Sequence, residues 1–291
     1  MKIHRYKKKS LRTNKKNKFF LKLFLLSIFF IFLAGGILYL LIFSGIFNIN
    51  KVSVSGAKAT GSETIERIAA EILSGKIFDR IPKNNPIFLP ANQIEQSIID
   101  NFPRVKSVIL VKNIKEHTLA INISERETAA IWCQVLPVSP EVSSSTIQTS
   151  ETVNLPSPEN CFFIDQNGFI FGEAPILSGG ALATVYEEGI RELKIKNNVS
   201  SPKILEFILE AKRLLVAVNL NLTDFIIKSQ SVGELEIVTP EGWLIYLSVS
   251  YSPASQINAL KRVLQEEIKE NRSRLEYIDL RVSNRAYYKL K

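Results

Sequence analysis

Ser55-Gly56-Ala57-Lys58 has the S-x-x-K spacing that sets a lysine beside a serine nucleophile in acyl-enzymes, and Ser200-Ser201-Pro202-Lys203 repeats it. That chemistry also needs S-D-N and K-T-G companions, and the chain has neither. The first match sits at an expected strand end instead of opening a helix. Two fixed positions in four also recur by chance in a chain rich in Ser and Lys. Glu125 and Glu127 stand two apart, so within a strand they would share a face, as a glycosidase carboxylate pair must. Trp132 is the one aromatic sugar platform nearby, and a solvated strand end is the plainer reading. The histidines are His4, near the start, and His117, in an expected hairpin turn where a lone imidazole is solvated. One such His and two Cys do not supply an ordinary zinc ligand set. No G-x-x-x-x-G-K-[ST] loop cradles a phosphate. These residues point to no catalytic site, no cofactor and no small-molecule substrate.

The charge is distributed unevenly. Of the 37 Lys and Arg, ten lie in residues 1–22, and no acid precedes Glu63, so the remainder carries 27 cations against 28 acids, a net of −1. The basic pI describes a tail and not the folded part, which removes the charge argument for nucleic acid. No aromatics interleave the tail cations as stacking platforms would. Leu23–Phe43 carries no charge. Its 21 residues span about 31 Å, close to a ~30 Å hydrocarbon layer, and Lys22 can snorkel to the interface. A signal peptide has a shorter apolar run and an A-x-A site, which is missing here. The reading is a basic cytoplasmic tail over 1–18, a transmembrane helix over 19–44 and everything later outside the membrane.

Elements beyond the anchor follow from periodicity. Asn48–Ser55 alternates as a strand that Gly56 ends. Ser62 caps a helix whose stripe is Ile65, Ile68, Ala69, Ile72 and Leu73, and Gly75 stops it. A Pro- and Asn-rich loop runs from Lys76 to Pro90. A second helix carries Ile94, Ile98 and Ile99 and ends before Pro103. Strands Val105–Val111 and Thr118–Ser124 follow. Strand, helix, helix, strand, strand makes an α+β unit over 45–126, with both helices on one face of a small sheet. Ile65, Ile68, Ile72, Ile94 and Ile98 are expected in its core, against Val52, Val54, Val108 and Ile121.

The second part, 127–291, reads as a mixed β-sheet domain with flanking helices. Strand Ala129–Gln134 precedes a Ser/Thr/Pro-rich insertion at about 137–160 that lacks an apolar pattern. Cys161–Ile164 and Phe169–Phe171 flank the turn Asp165-Gln166-Asn167-Gly168. Residues 174–200 carry no readable pattern. Pro202 opens a helix presenting Ile204, Phe207, Ile208, Ala211, Leu215 and Val218. Strands Asp224–Ser229, Glu234–Thr239 and Trp243–Ser248 come next. A helix from Ser252-Pro253 turns Ile257, Leu260, Val263, Leu264 and Ile268 inward. Strands Glu276–Val282 and Arg285–Lys289 end the pattern.

Five segments resemble, in order, those of FtsQ/DivIB-type bacterial cell-division proteins. They are Phe47-Asn48-Ile49-Asn50-Lys51-Val52-Ser53-Val54-Ser55-Gly56, Asn101-Phe102-Pro103-Arg104-Val105-Lys106-Ser107-Val108, Ile121-Asn122-Ile123-Ser124-Glu125-Arg126-Glu127 with Ala129-Ala130-Ile131-Trp132, Phe163-Ile164-Asp165-Gln166-Asn167-Gly168-Phe169-Ile170-Phe171, and Tyr277-Ile278-Asp279-Leu280-Arg281. The chain departs from that pattern in the 137–160 insertion, the cysteine pair and an enlarged loop near Lys76–Pro90. The resemblance implies a POTRA domain followed by a β-domain. It also implies a non-catalytic divisome scaffold that binds FtsB/DivIC-type and FtsL-type bitopic partners and helps control septal peptidoglycan synthesis. A membrane-anchored peptidoglycan enzyme and a POTRA-bearing envelope chaperone are the alternatives.

Two site expectations lean on this resemblance. The family pairs as neighbours the strands that carry Cys133 and Cys161, the only cysteines, which begin and end the insertion. If those strands are antiparallel, a disulfide is within reach outside the reducing cytoplasm, and two small buried thiols are the alternative. The family's last strands receive a strand from the FtsB/DivIC-type partner. Tyr277–Lys289 can therefore form an uncovered edge where Tyr287 or Tyr288, with Arg281, Arg285 and Lys289, selects the partner. Only one of the two tyrosines can face the partner side, because strand faces alternate. The alternative is that the tyrosines cover the sheet's own core.

Overall fold

The computed structural model describes residues 15–135, 158–176, 181–189, 192–199, 202–228 and 233–291. The start of the basic tail, the insertion up to residue 157, and Ser200 and Ser201 of the second S-x-x-K match lie outside the described residues. The architecture is mixed α+β, with one long apolar N-terminal helix and a large sheet. The chain divides into two compact units, Met1–Ile98 with Val108–Ile123, and Ile99–Ser107 with Ser124–Lys291.

The first unit begins with α1, Lys15–Phe43. Its stretch Phe19–Phe43 is long and apolar enough to cross a membrane, and nearly all of its side chains are exposed among the described residues. A helix that is apolar all round and unburied has lipid as its natural solvent. Then come β1 (Lys51–Ser55), α2 (Ser62–Ser74), the short strands β2 (Lys76–Ile77) and β3 (Ile81–Pro82), α3 (Ala91–Asn101), β4 (Val105–Asn113) and β5 (Thr118–Glu125). The sheet order is β1-β5-β4, and β1 runs parallel to β5 with Val52 opposite Leu119 and Val54 opposite Ile121. Gly56 leaves β1 at φ 83°, and a Cβ there would strike the backbone carbonyl of Ile123, so this end of the strand requires glycine.

Several expectations change here. Gly61, not Ser62, is the N-cap of α2, and no side chain caps it; Ser62 is already helical. The buried stripe of α2 is Ile65, Ala69 and Leu73, while Ile68 and Ile72 are half-buried. At 3.6 residues per turn, Ile68 lies roughly 60° round from Ile65, on the rim of the covered arc. Ile94 and Ile98 are fully buried. The 76–90 loop contains the β2–β3 hairpin, whose turn residues Phe78 and Asp79 have φ 49° and 55°. Glu127 lies past the end of β5, so it shares no strand face with Glu125.

The second unit is built on a nine-stranded sheet in the order β14-β13-β12-β11-β10-β9-β6-β7-β8. Its strands are β6 (Ala130–Val135), β7 (Asn160–Ile164), β8 (Ile170–Ala174), β9 (Ala183–Glu188), β10 (Asp224–Lys228), β11 (Glu234–Val238), β12 (Leu244–Ser248), β13 (Leu275–Asp279) and β14 (Tyr287–Leu290). β9, in the stretch 174–200 where no pattern was read, is central and runs parallel to both β6 and β10. Helices α4 (Pro202–Ala217) and α5 (Pro253–Arg262) cover one face. Leu205, Ile208, Ala211, Leu215, Ile257 and Leu260 pack there with Trp132, Val185, Phe225, Ile237, Trp243, Ile245 and Ile278. α5 continues through a π-turn, Val263–Ile268, and a 3-10 segment, Lys269–Arg274, into β13. The other face carries a smaller cluster of Ile131, Cys133, Val135, Cys161, Tyr186 and Ile226.

Candidate interaction edge

Register assigns each candidate side chain to a face. β14 pairs antiparallel with β13, placing Asp279 opposite Tyr287, Ile278 opposite Tyr288 and Tyr277 opposite Lys289. Opposed residues of an antiparallel pair point to the same side. Tyr288 therefore shares the helix-covered face with the fully buried Ile278, and Tyr287 shares the opposite face with Asp279. A single row crosses that opposite face, from Tyr287 through Asp279, Tyr246 and Glu236 to the buried Ile226, Tyr186, Cys133 and Cys161. Both tyrosines keep substantial exposure, 47% for Tyr287 and 41% for Tyr288. β14 is an edge strand, with only β13 beside it among the described residues.

The cations of this edge differ in what they have free. Arg281 donates from Nε to Asp279 Oδ1 at 2.9 Å and from Nη2 to Asp279 Oδ2 at 2.7 Å, and its Nη1 reaches Glu234 Oε2 at 2.7 Å. The guanidinium also lies 4.9 Å from the centre of the Tyr246 ring. Lys289 pairs with Glu276 at 2.8 Å. The Arg285 guanidinium donates from Nη1 to the Tyr287 hydroxyl at 3.3 Å and meets no carboxylate among the described residues. Arg281 thus ties β13 to β11 and steadies the edge, while Arg285 retains its full charge toward solvent.

The Arg281 bonds hold the Asp279 carboxyl below its ordinary 3.8. A carboxyl depressed on folding stabilises the fold above its unfolded value, and that contribution disappears as pH falls through the folded value. Asp279→Asn should therefore lower stability at neutral pH and flatten the acid limb below about pH 4 in thermal melts. An unchanged acid limb would remove Asp279 from this role.

Elsewhere on that opposite face, burial and then the neighbouring Asp224 push Tyr186 up to about 12. Its hydroxyl donates to Asp224 Oδ1 at 3.4 Å, a neutral donor on a carboxylate, which is a structural bond and not an activated nucleophile. His117 is likewise structural: Nδ1 lies 3.0 Å from the Asn48 carbonyl, and its own carbonyl accepts from the amides of Asn50 and Lys51. Ser55 Oγ donates to Asn122 Oδ1 at 2.6 Å. Among the described residues, no three of His, Cys, Asp and Glu gather as a metal set.

Cys133 on β6 stands directly opposite Cys161 on β7, and a disulfide joins them. The bond closes a loop over the insertion and should contribute on the order of 3 kcal/mol through the entropy of the unfolded chain. Reduction, or the double substitution of both cysteines by Ser, should lower the denaturation midpoint accordingly. Alkylation of two free thiols in the native protein would show that the bond does not form.

One pairing escaped the sequence reading. Arg126 Nη1 meets Asp165 Oδ2 at 2.6 Å, its Nε donates to the Pro103 carbonyl at 3.1 Å, and its guanidinium lies 3.9 Å from the centre of the Phe169 ring. Asp165 Oδ1 accepts from the amides of Asn167 and Phe169, holding the Asn167-Gly168 turn with Gly168 at φ 76°. Two of the segments singled out from sequence thus meet in one largely buried ion pair. Such a pair orients the turn, because leaving either charge unmatched in a low-dielectric site is costly. Compared with known proteins, the chain matches no protein-family model and no curated protein.

Proposed function

We propose that this chain is a non-catalytic, single-pass scaffold of bacterial cell division, of FtsQ/DivIB type. Its basic N-terminal segment is cytoplasmic, and its two folded units stand outside the plasma membrane at the septum. There it binds FtsB/DivIC-type and FtsL-type bitopic partners and helps control septal cell-wall synthesis. The observation that carries the reading is β14, an exposed edge strand of a large sheet, on a chain that also holds the membrane-length apolar helix α1. Unpaired edge amides and carbonyls suit capture of a partner strand. The order β1, α2, the β2–β3 hairpin, α3, β4 and β5, with a sheet in the order β1-β5-β4, supports a POTRA domain. The five resembling segments support the family. Affinity purification of the full chain from envelope membranes should bring down two small bitopic coiled-coil proteins. Covalent labelling of the chain by a fluorescent β-lactam would overturn the reading in favour of an anchored transpeptidase.

A further inference from the structure

The β2–β3 hairpin carries an apolar side chain that its own fold leaves uncovered. Phe78, at its tip, is 90% exposed, and Ile87 further along the same segment is 62% exposed. Arg80 N donates to the Ile77 carbonyl at 3.2 Å, which closes a turn on Phe78 and Asp79, both at positive φ. Two adjacent non-glycine residues in the left-handed region cost of order 1 kcal/mol or more each. That cost displays a phenyl ring that is exposed among the described residues.

The position of the hairpin identifies what covers it. Asn85, 1% exposed, donates through Nδ2 to the carbonyls of Leu41 at 2.9 Å and Ile42 at 3.2 Å. These are last-turn carbonyls of α1 that have no partner inside the helix. Backbone bonds add to this anchor: Ile49 N donates to the Asn84 carbonyl at 2.9 Å, and Lys83 N to the Gly75 carbonyl at 3.0 Å. β3 lies against α1. Leu23–Phe43 matches the hydrocarbon thickness, so Leu41 and Ile42 sit at its outer boundary. The segment 76–90 is thus pinned at headgroup level by its bonds to the helix end. It carries Lys76, Arg80 and Lys83 against the single acid Asp79, a net of +2. Apolar tips flanked by cations at that depth match a bilayer surface with anionic headgroups.

We infer that the β2–β3 hairpin is a second membrane contact: Phe78 and Ile87 enter the outer-leaflet interface, and Lys76 and Arg80 engage anionic lipid headgroups. This orients the first unit on the bilayer beyond what a single flexible tether would do. The inference rests on the reading of α1 as an anchor. The test uses the full chain with an environment-sensitive fluorophore on a single added cysteine, either Phe78→Cys or Leu33→Cys, the latter within α1. The protein is reconstituted in vesicles of phosphatidylcholine, with or without phosphatidylglycerol. The probe at 78 is expected to shift to the blue and escape iodide quenching, more strongly with phosphatidylglycerol. Adding Lys76→Glu and Arg80→Glu is expected to abolish the phosphatidylglycerol dependence. A probe at 33 in lipid with a probe at 78 in water, in both vesicles, overturns the hairpin contact and leaves the anchor standing. A probe at 33 in water overturns both. Phosphatidylglycerol dependence that survives the double charge reversal overturns the assignment of Lys76 and Arg80.

Discussion

Ile65→Ala should destabilise the first unit by about 2–5 kcal/mol, and Ile68→Ala should cost clearly less. Both residues lie on the apolar stripe of α2, and their side chains are identical, so chemistry alone does not separate them. Burial does. Ile65 is completely enclosed, with Ala69 and Leu73 a turn apart on the same face, and α2 rests on β1. Removing three carbons there leaves a cavity that the surrounding helix and sheet can close only in part. Ile68 stands on the rim, where water fills the space left behind. The measurement is hydrogen exchange in the full chain as a function of denaturant, read at amides of α2 and β5. Equal effects at the two positions would mean that Ile68 is covered by something other than this unit.

That contrast marks how far the sequence could be read. Its 3.6-residue period identified α2 and the side of it that is apolar. It could not define the edge of the covered arc, because that depends on how far the three-stranded sheet extends beneath the helix. β7 and β8 were legible because Asn167-Gly168 announces its turn between two apolar runs. β9 was not, although it occupies the middle of the sheet. Thr184, Val185 and Tyr186 are good strand formers, but the run is short and ends in Glu187 and Glu188. Trp132 Nε1 donates to Glu187 Oε2 at 2.8 Å, so a residue that reads as polar and exposed is partnered from a neighbouring strand. The Arg126–Asp165 pair was out of reach for the same reason: the residues are 39 apart in sequence, and only folding brings them together. The hairpin at Phe78 lacked any glycine or asparagine signal, so a loop was the natural expectation. The edge tyrosines were legible as a pair on opposite faces, and register was needed to assign each to its face.

If the chain binds a partner strand as proposed, Tyr287→Ala should weaken that binding by at least about 2 kcal/mol, roughly thirtyfold in Kd, and leave the fold intact. Tyr288→Ala should weaken binding less, because register places Tyr288 on the helix-covered side of the edge, opposite Ile278 and away from Tyr287. A partner strand added beyond β14 would lie about 4.8 Å from it and continue both faces of the sheet. On the face opposite the helices its side chains would meet Tyr287, whose flat amphipathic ring offers area at little entropic cost. Arg281 and Lys289 already face carboxylates of their own chain, so their removal should disturb the edge more than the recognition. Among the described residues Arg285 meets no such carboxylate, so Arg285→Glu should slow association with an acidic partner segment, and added salt should mask the difference. The measurement is pull-down and binding kinetics on variants whose circular dichroism matches the parent. Partner binding that survives deletion of residues 285–291 would place the interface elsewhere. Binding lost in Tyr288→Ala but kept in Tyr287→Ala, with both folded, would put the partner on the helix-covered side of the edge.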